Sequence, residues 1–105
     1  MVPFENIPDE YRKVGEKWAE AKAQYEFLDS ETKTILARLA SEVEGSEATR
    51  DRVAKQDTSY LTHLTAVKQA RQEYLGYETY MHALDMRFEW YRSQNANRRA
   101  ETKLL

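Results

Sequence analysis

Along two long stretches of this chain, apolar residues recur at alternating intervals of three and four. That spacing dictates helices that pack through a stripe. The first stripe is Tyr11, Val14, Trp18, Ala21, Tyr25, Leu28, Thr32, Ile35 and Leu39, interrupted only by Thr32. The second is Tyr60, His63, Val67, Ala70, Tyr74, Tyr77, Met81, Leu84, Phe88 and Tyr91, with the repeat ending at Asn95. At 3.6 residues per turn these positions share one helix face, whereas a half-buried strand needs strict alternation. The pattern is the a/d seam of a coiled coil.

Between and around the stripes lie few stop signals. Residues 1–7, with Pro3, read as an extended lead, and Pro8 sits where a first helical turn tolerates proline. A long helix is expected over 8–44, because the seam keeps its phase across Asp29 and Ser30. Gly45 stops it, and Ser46 can cap a short connecting helix over 46–56, whose few apolar residues are Ala48, Val53 and Ala54. Asp57, Thr58 and Ser59 can cap a second long helix over 58–95. Gly76 lies inside that helix at a cost of about 1 kcal/mol, too little to break it. Residues 96–105 then form a basic C-terminal arm or an extension of the helix. The expected fold is all-α, a single helical domain over 1–105. Its two long helices form an antiparallel coiled-coil-like hairpin with a short connecting helix. Each helix covers only one side of the other, and Leu36, Val43, Leu61, Leu64, Leu75, Tyr80 and Trp90 fall outside the seam. A homo-oligomer is therefore expected.

Composition narrows the functional classes. A chain of 105 residues with 41% apolar and 32% charged residues has a thin core and much solvated surface. No cysteine is present, so neither a disulfide framework nor a thiolate metal site is available. No apolar run reaches membrane-spanning length, and the sequence from Met1 to Asn6 lacks the basic and apolar regions of a signal peptide. A soluble protein without membrane partners is expected. The two histidines, His63 and His82, lie nineteen residues apart on one expected helix, about 28 Å along its axis. They cannot share a metal. His63 belongs to the seam and reads as a packed core histidine. Glu42, Glu44 and Glu47 read as a solvated acidic turn, because the calcium-loop pattern of Gly and Asp is missing. No phosphate loop, serine elbow or zinc-protease motif is present. No catalytic residue, cofactor or metal is expected.

Charge is placed unevenly. Residues 1–30 carry seven acids and four bases, residues 31–60 six and five, and residues 61–105 five and seven, so the local balance runs from −3 through −1 to +2. The positive end coincides with a run of interleaved aromatic and cationic residues from Arg87 to Lys103. On a helix, Arg87, Tyr91 and Arg98 fall near one face, and Arg92, Arg99 and Lys103 form an adjacent row. Such rows can track phosphates, and an exposed indole can stack on an unpaired base. The candidate nucleic-acid-binding residues are therefore Arg87, Trp90, Arg92, Arg98, Arg99 and Lys103. Competing readings stand beside this one. Phe88 and Tyr91 are seam residues and belong to the core, Trp90 can equally fill an oligomer interface, and cations near a helix C-terminus complement its dipole without any ligand.

Several segments carry a family resemblance. They are Ala19-Glu20-Ala21-Lys22-Ala23-Gln24-Tyr25, Lys33 with Ile35-Leu36-Ala37, Gly45-Ser46-Glu47-Ala48, the stretch from Tyr60 to Ala70, and Phe88-Glu89-Trp90-Tyr91-Arg92-Ser93 followed by Arg98-Arg99-Ala100-Glu101. Through these the chain resembles small helical proteins encoded by tailed bacteriophages and prophages. The general plan is similar to phage recombination mediators, oligomeric helical proteins that bind single-stranded DNA and help load a recombinase. The resemblance implies a non-enzymatic accessory factor of DNA recombination or replication in the cytoplasm of a bacterial host. Its implied partners are single-stranded DNA and a recombinase or other replication protein. It extends to Arg92, Arg98 and Arg99 as basic contacts. The chain departs from the best-known mediator in being shorter and in lacking a close sequence match. Two other classes fit a helical hairpin. One is a protein–protein adaptor or assembly factor, favoured by the net charge of −2. The other is a secreted hairpin dimer of similar length, but such proteins carry Trp-x-Gly at the central turn, where this chain has Val43-Glu44-Gly45-Ser46.

Overall fold

The structure, a computed structural model, describes residues 1–104. Leu105, the last residue of the 96–105 arm, lies outside the described residues. The fold is all-α. A 3-10 turn over Phe4–Asn6 leads into α1 (Ile7–Ser41), which is followed by the short α2 (Glu47–Lys55) and the long α3 (Thr58–Leu104).

Local chemistry sets each boundary. The lead expected to be extended over 1–7 is a turn closed by a 3.0 Å hydrogen bond from the Asn6 amide to the Pro3 carbonyl. It runs directly into α1 because Ile7 is already part of the seam, four residues before Tyr11, and is only 2% exposed. At its other end α1 stops at Ser41, three residues short of the expected Glu44. The seam position after Leu39 is Glu42, so no apolar contact supports another turn. The chain tightens there through i→i+3 bonds from the Glu42 amide to Leu39 and from the Val43 amide to Ala40. Gly45 then adopts φ 123°, a backbone region open to glycine and strained for other residues. Ser46 caps α2 by accepting the Thr49 amide at 3.2 Å, and the Asp57 carboxylate caps α3 by accepting the Ser59 amide at 2.8 Å. The second long helix does not end at Asn95 but continues to Leu104, so 96–104 is a helix extension.

Contacts divide the chain into two units, Met1–Trp18 with Leu75–Leu105, and Ala19–Tyr74. Both are helix pairs built on the seam, and in both α1 and α3 run antiparallel. In the first unit the seam residues Val14 and Leu84 are buried with Ile7. Here Met81 packs near Gly15, where an added Cβ would lie 3.7 Å from the methionine methyl. The Tyr80 hydroxyl donates to the Glu10 carboxylate at 3.3 Å. Partial loss of solvent around the phenol, together with that negative charge, holds the Tyr80 hydroxyl above its ordinary pKa.

In the second unit Ala21, Leu39 and Ala70 are buried, joined by Ala54 of α2 at 1% exposure. Tyr25 and Tyr74 meet at 5.1 Å between ring centres. Thr32, the one polar interruption of the first stripe, faces His63, the one ionisable residue of the second apart from its tyrosines. Thr32 Oγ1 and His63 Nε2 lie 2.9 Å apart in a hydrogen bond, with His63 9% exposed. Each polar side chain therefore satisfies the other inside the seam.

Every seam residue except Tyr11 is buried or half-buried. Of the off-seam apolar residues, Leu36, Val43 and Leu75 are half-buried, whereas Leu61, Leu64, Tyr80 and Trp90 are exposed, as are Phe27 and Met86.

Candidate nucleic-acid interface

The cationic run of α3 belongs to the unit that holds both chain termini. Its residues are helical for a simple reason. The seam carries α3 as far as Tyr91, and Ala96, Ala100 and the flanking arginines have good helix propensity. Beyond Asn95 the helix outruns the packed part of its unit, and every residue from Ala96 to Lys103 is exposed. The Thr102 hydroxyl bonds back to the Arg98 carbonyl at 2.9 Å, supporting the final turns from within.

The structure separates the six candidate residues into two groups. Arg92, Arg99 and Lys103 form an open row spanning about 16 Å at 1.5 Å per residue. Arg92, Ser93, Asn95, Ala96 and Arg99 line one shallow surface, and Asn95, Arg98, Arg99, Thr102 and Lys103 line the next. Arg92 pairs with Glu89 at 3.1 Å, with both side chains mostly in solvent. An exposed pair of this kind contributes about 0–1 kcal/mol, so a phosphate can displace the carboxylate. Between Arg87 and Lys103 the charges are five bases against Glu89 and Glu101, a local excess of 5 − 2 = +3.

Arg87 departs from the expectation of a free phosphate contact. Its guanidinium donates to the Val2 carbonyl at 2.8 Å and its central carbon lies 5.2 Å from the centre of the Phe4 ring. Phe4 in turn lies parallel to Tyr91, with 4.9 Å between centres and 8° between planes. It also meets Trp90 at 5.9 Å and 38°. The row Arg87–Tyr91–Arg98 is thus covered at its first two positions by the N-terminal turn, and only Arg98 is left open. Each aromatic pair of this kind is worth about 0.5–1.5 kcal/mol and an exposed cation–π contact about 0.5–1 kcal/mol. Trp90 itself stays 57% exposed.

The residues that sequence reasoning passed over are Val2 and Phe4. A weak signal was present, since Phe4, Ile7, Tyr11 and Val14 continue the three-four spacing backwards into the lead.

Elsewhere the described residues offer less. Among the described residues no group of three or more His, Asp or Glu side chains could hold a metal ion, and no helix is long and apolar enough to cross a membrane. His82 is exposed and His63 is bonded to Thr32. Glu42, Glu44 and Glu47 are exposed around the turn. An open groove between the end of α1 and α2 is lined by Leu36, Ala37, Ala40 and Ala48 together with Lys33, Arg50 and Asp51. Its mixed charges single out no ligand. No family model, no curated protein and no solved structure matches the chain.

Proposed function

We propose that this protein is a non-catalytic accessory factor of DNA recombination or replication, of the phage type its sequence resembles. In this reading it holds single-stranded DNA along the cationic end of α3. The observation that carries the reading is the exposed row Arg92, Arg99 and Lys103, with Arg98 beside it and Trp90 one turn away, on a helix end that no other segment of its unit covers. A rigid helix flank bearing cations at successive turns suits a flexible polyanion, which can adjust its phosphates to the row and release counterions. An exposed indole adds stacking that tolerates any base. Contact is expected along the flank and not at the tip, because the C-terminal end of a helix carries partial negative charge.

Self-association through the exposed Leu61, Leu64 and Phe27 would gather several such flanks, and a recombinase or other replication protein is the partner such a factor would serve. The same exposed apolar residues favour a second reading, a protein–protein adaptor without nucleic acid.

Fluorescence anisotropy with a labelled single-stranded oligonucleotide at several salt concentrations separates the two. Binding should weaken with salt, and replacing Arg98 and Arg99 together by Ala should reduce the logarithmic salt slope by about 1.4, two phosphates at ~0.7 each. Absence of binding at low salt would refute the DNA reading and leave the adaptor.

A further inference from the structure

Phe4 is in an unusual position for a core residue. It precedes the first buried residue of α1, Ile7, and sits in a three-residue turn that contains no buried residue and has no side-chain cap. Its neighbours Met1, Pro3, Glu5 and Asn6 are exposed. Yet its ring is engaged on several sides. It is parallel to Tyr91 at 4.9 Å, tilted against Trp90 at 5.9 Å, and 5.2 Å from the Arg87 guanidinium carbon.

A flat ring held parallel to a tyrosine, edged by an indole and faced by a guanidinium, has the surroundings of an unpaired nucleobase on a stacking platform. The polar half of the arrangement fits as well. Arg87 Nη2 donates to the Val2 carbonyl, a neutral acceptor, and a phosphate oxygen in that position would form the stronger, charge-assisted bond. The platform also lies directly before the open row Arg92–Arg99–Lys103 on the same helix, so a strand whose base stacks here has cations ahead of it for its next phosphates.

We propose that Tyr91, Trp90 and Arg87 form a stacking subsite for an unpaired base of single-stranded nucleic acid, and that Phe4 fills this subsite in the free protein as a displaceable strap. The proposal rests on the DNA-binding reading of α3. Ile7 is the reason the strap can leave without unfolding the helix pair. It is 2% exposed and anchors the start of α1 behind the turn, so residues 1–6 can detach while the seam stays packed. Strand binding then competes with an intramolecular ligand, and the apparent affinity falls by the fraction of molecules whose strap is open.

The test is anisotropy titration of a fluorescein-labelled oligothymidylate at low salt with the full-length chain, Phe4→Ala and Phe4→Trp, with helical content followed by circular dichroism. With helical content unchanged, Phe4→Ala should bind about tenfold more tightly if the strap is closed in ~90% of molecules. Equal or weaker binding would overturn the strap while leaving the DNA-binding reading intact. If Phe4→Ala loses helical content, Phe4→Trp decides. The larger ring should hold the platform more firmly and weaken binding, and binding equal to or tighter than that of the parent chain would overturn the proposal. No binding by the parent or any variant removes both the DNA reading and the subsite.

Discussion

The two units of this chain use the same seam to different ends. In the unit from Ala19 to Tyr74 the stripe closes on itself. Its one threonine meets its one histidine, two tyrosines meet each other, and α2 supplies Ala54 as a plug with 1% exposure. In the unit that holds the termini, the apolar anchors Ile7 and Leu84 are as deeply buried, but α3 continues past them with every residue from Ala96 to Lys103 in solvent. The unit from Ala19 to Tyr74 pairs its two polar seam residues, Thr32 and His63, with each other. The unit of the termini gathers its cations at one end, five bases against two acids from Arg87 to Lys103, where Arg87 is held by Val2 and Phe4 and Arg92 makes an exposed pair with Glu89. The comparison teaches that burial and ligand availability divide along one helix. The seam takes the residues it needs, and what lies beyond its last turn remains available for binding.

Three substitutions can break or sharpen this contrast. The largest effect is expected at Leu84, 2% exposed in the unit of the termini. Leu84→Ala should cost about 2–5 kcal/mol, seen as a lowered thermal midpoint by circular dichroism. A loss below about 1 kcal/mol would mean that this unit has no real core. Next comes Thr32→Val, which keeps the shape and removes the partner of buried His63. Leaving that ring nitrogen unsatisfied should cost about 1–3 kcal/mol in a denaturant titration. A neutral result would show that the polar pair is incidental to the closed unit. The smallest effect is expected at Gly76, which lies on α3 beside the Tyr74–Leu75 division of the units, with no atom within 4 Å of an added Cβ. Gly76→Ala should stabilise the protein by about 0.5–1 kcal/mol. Destabilisation would indicate that the helix must depart from regular geometry at that point.

Much of the fold was legible because a heptad seam is a local, periodic property. Burial of Val14, Ala21, Leu39, Ala70 and Leu84 follows from their spacing alone, and Ser46 and Asp57 announce their helices by chemistry that acts within three residues. The end of α1 is less legible, although Glu42 at a seam position accounts for it. The openness of Arg98, Arg99 and Lys103 was also legible, since they follow the last seam residue. Arg87 was not. Its hydrogen-bond partner lies 85 residues away, in a lead too short to show any period, and only folding brings the two together. For Trp90 the sequence allows both an interface and exposure. The structure places it on the rim of the aromatic cluster, in contact with Phe4 and still largely open.

The hydrogen bond between Thr32 and His63 carries no mark of which molecule each belongs to. Any second copy of this chain offers the same two stripes in the same register, so an exchanged pair, with α1 of one copy against α3 of another, would keep the bond and the seam around it. What favours the closed chain is the turn at Glu42–Ser46, with Gly45 at positive φ, which keeps α3 at high effective concentration near its own α1. The turn therefore decides whether a chain pairs with itself, and stiffening it into continuous helix would hold α1 away from its own α3 and leave the two stripes open to a second copy.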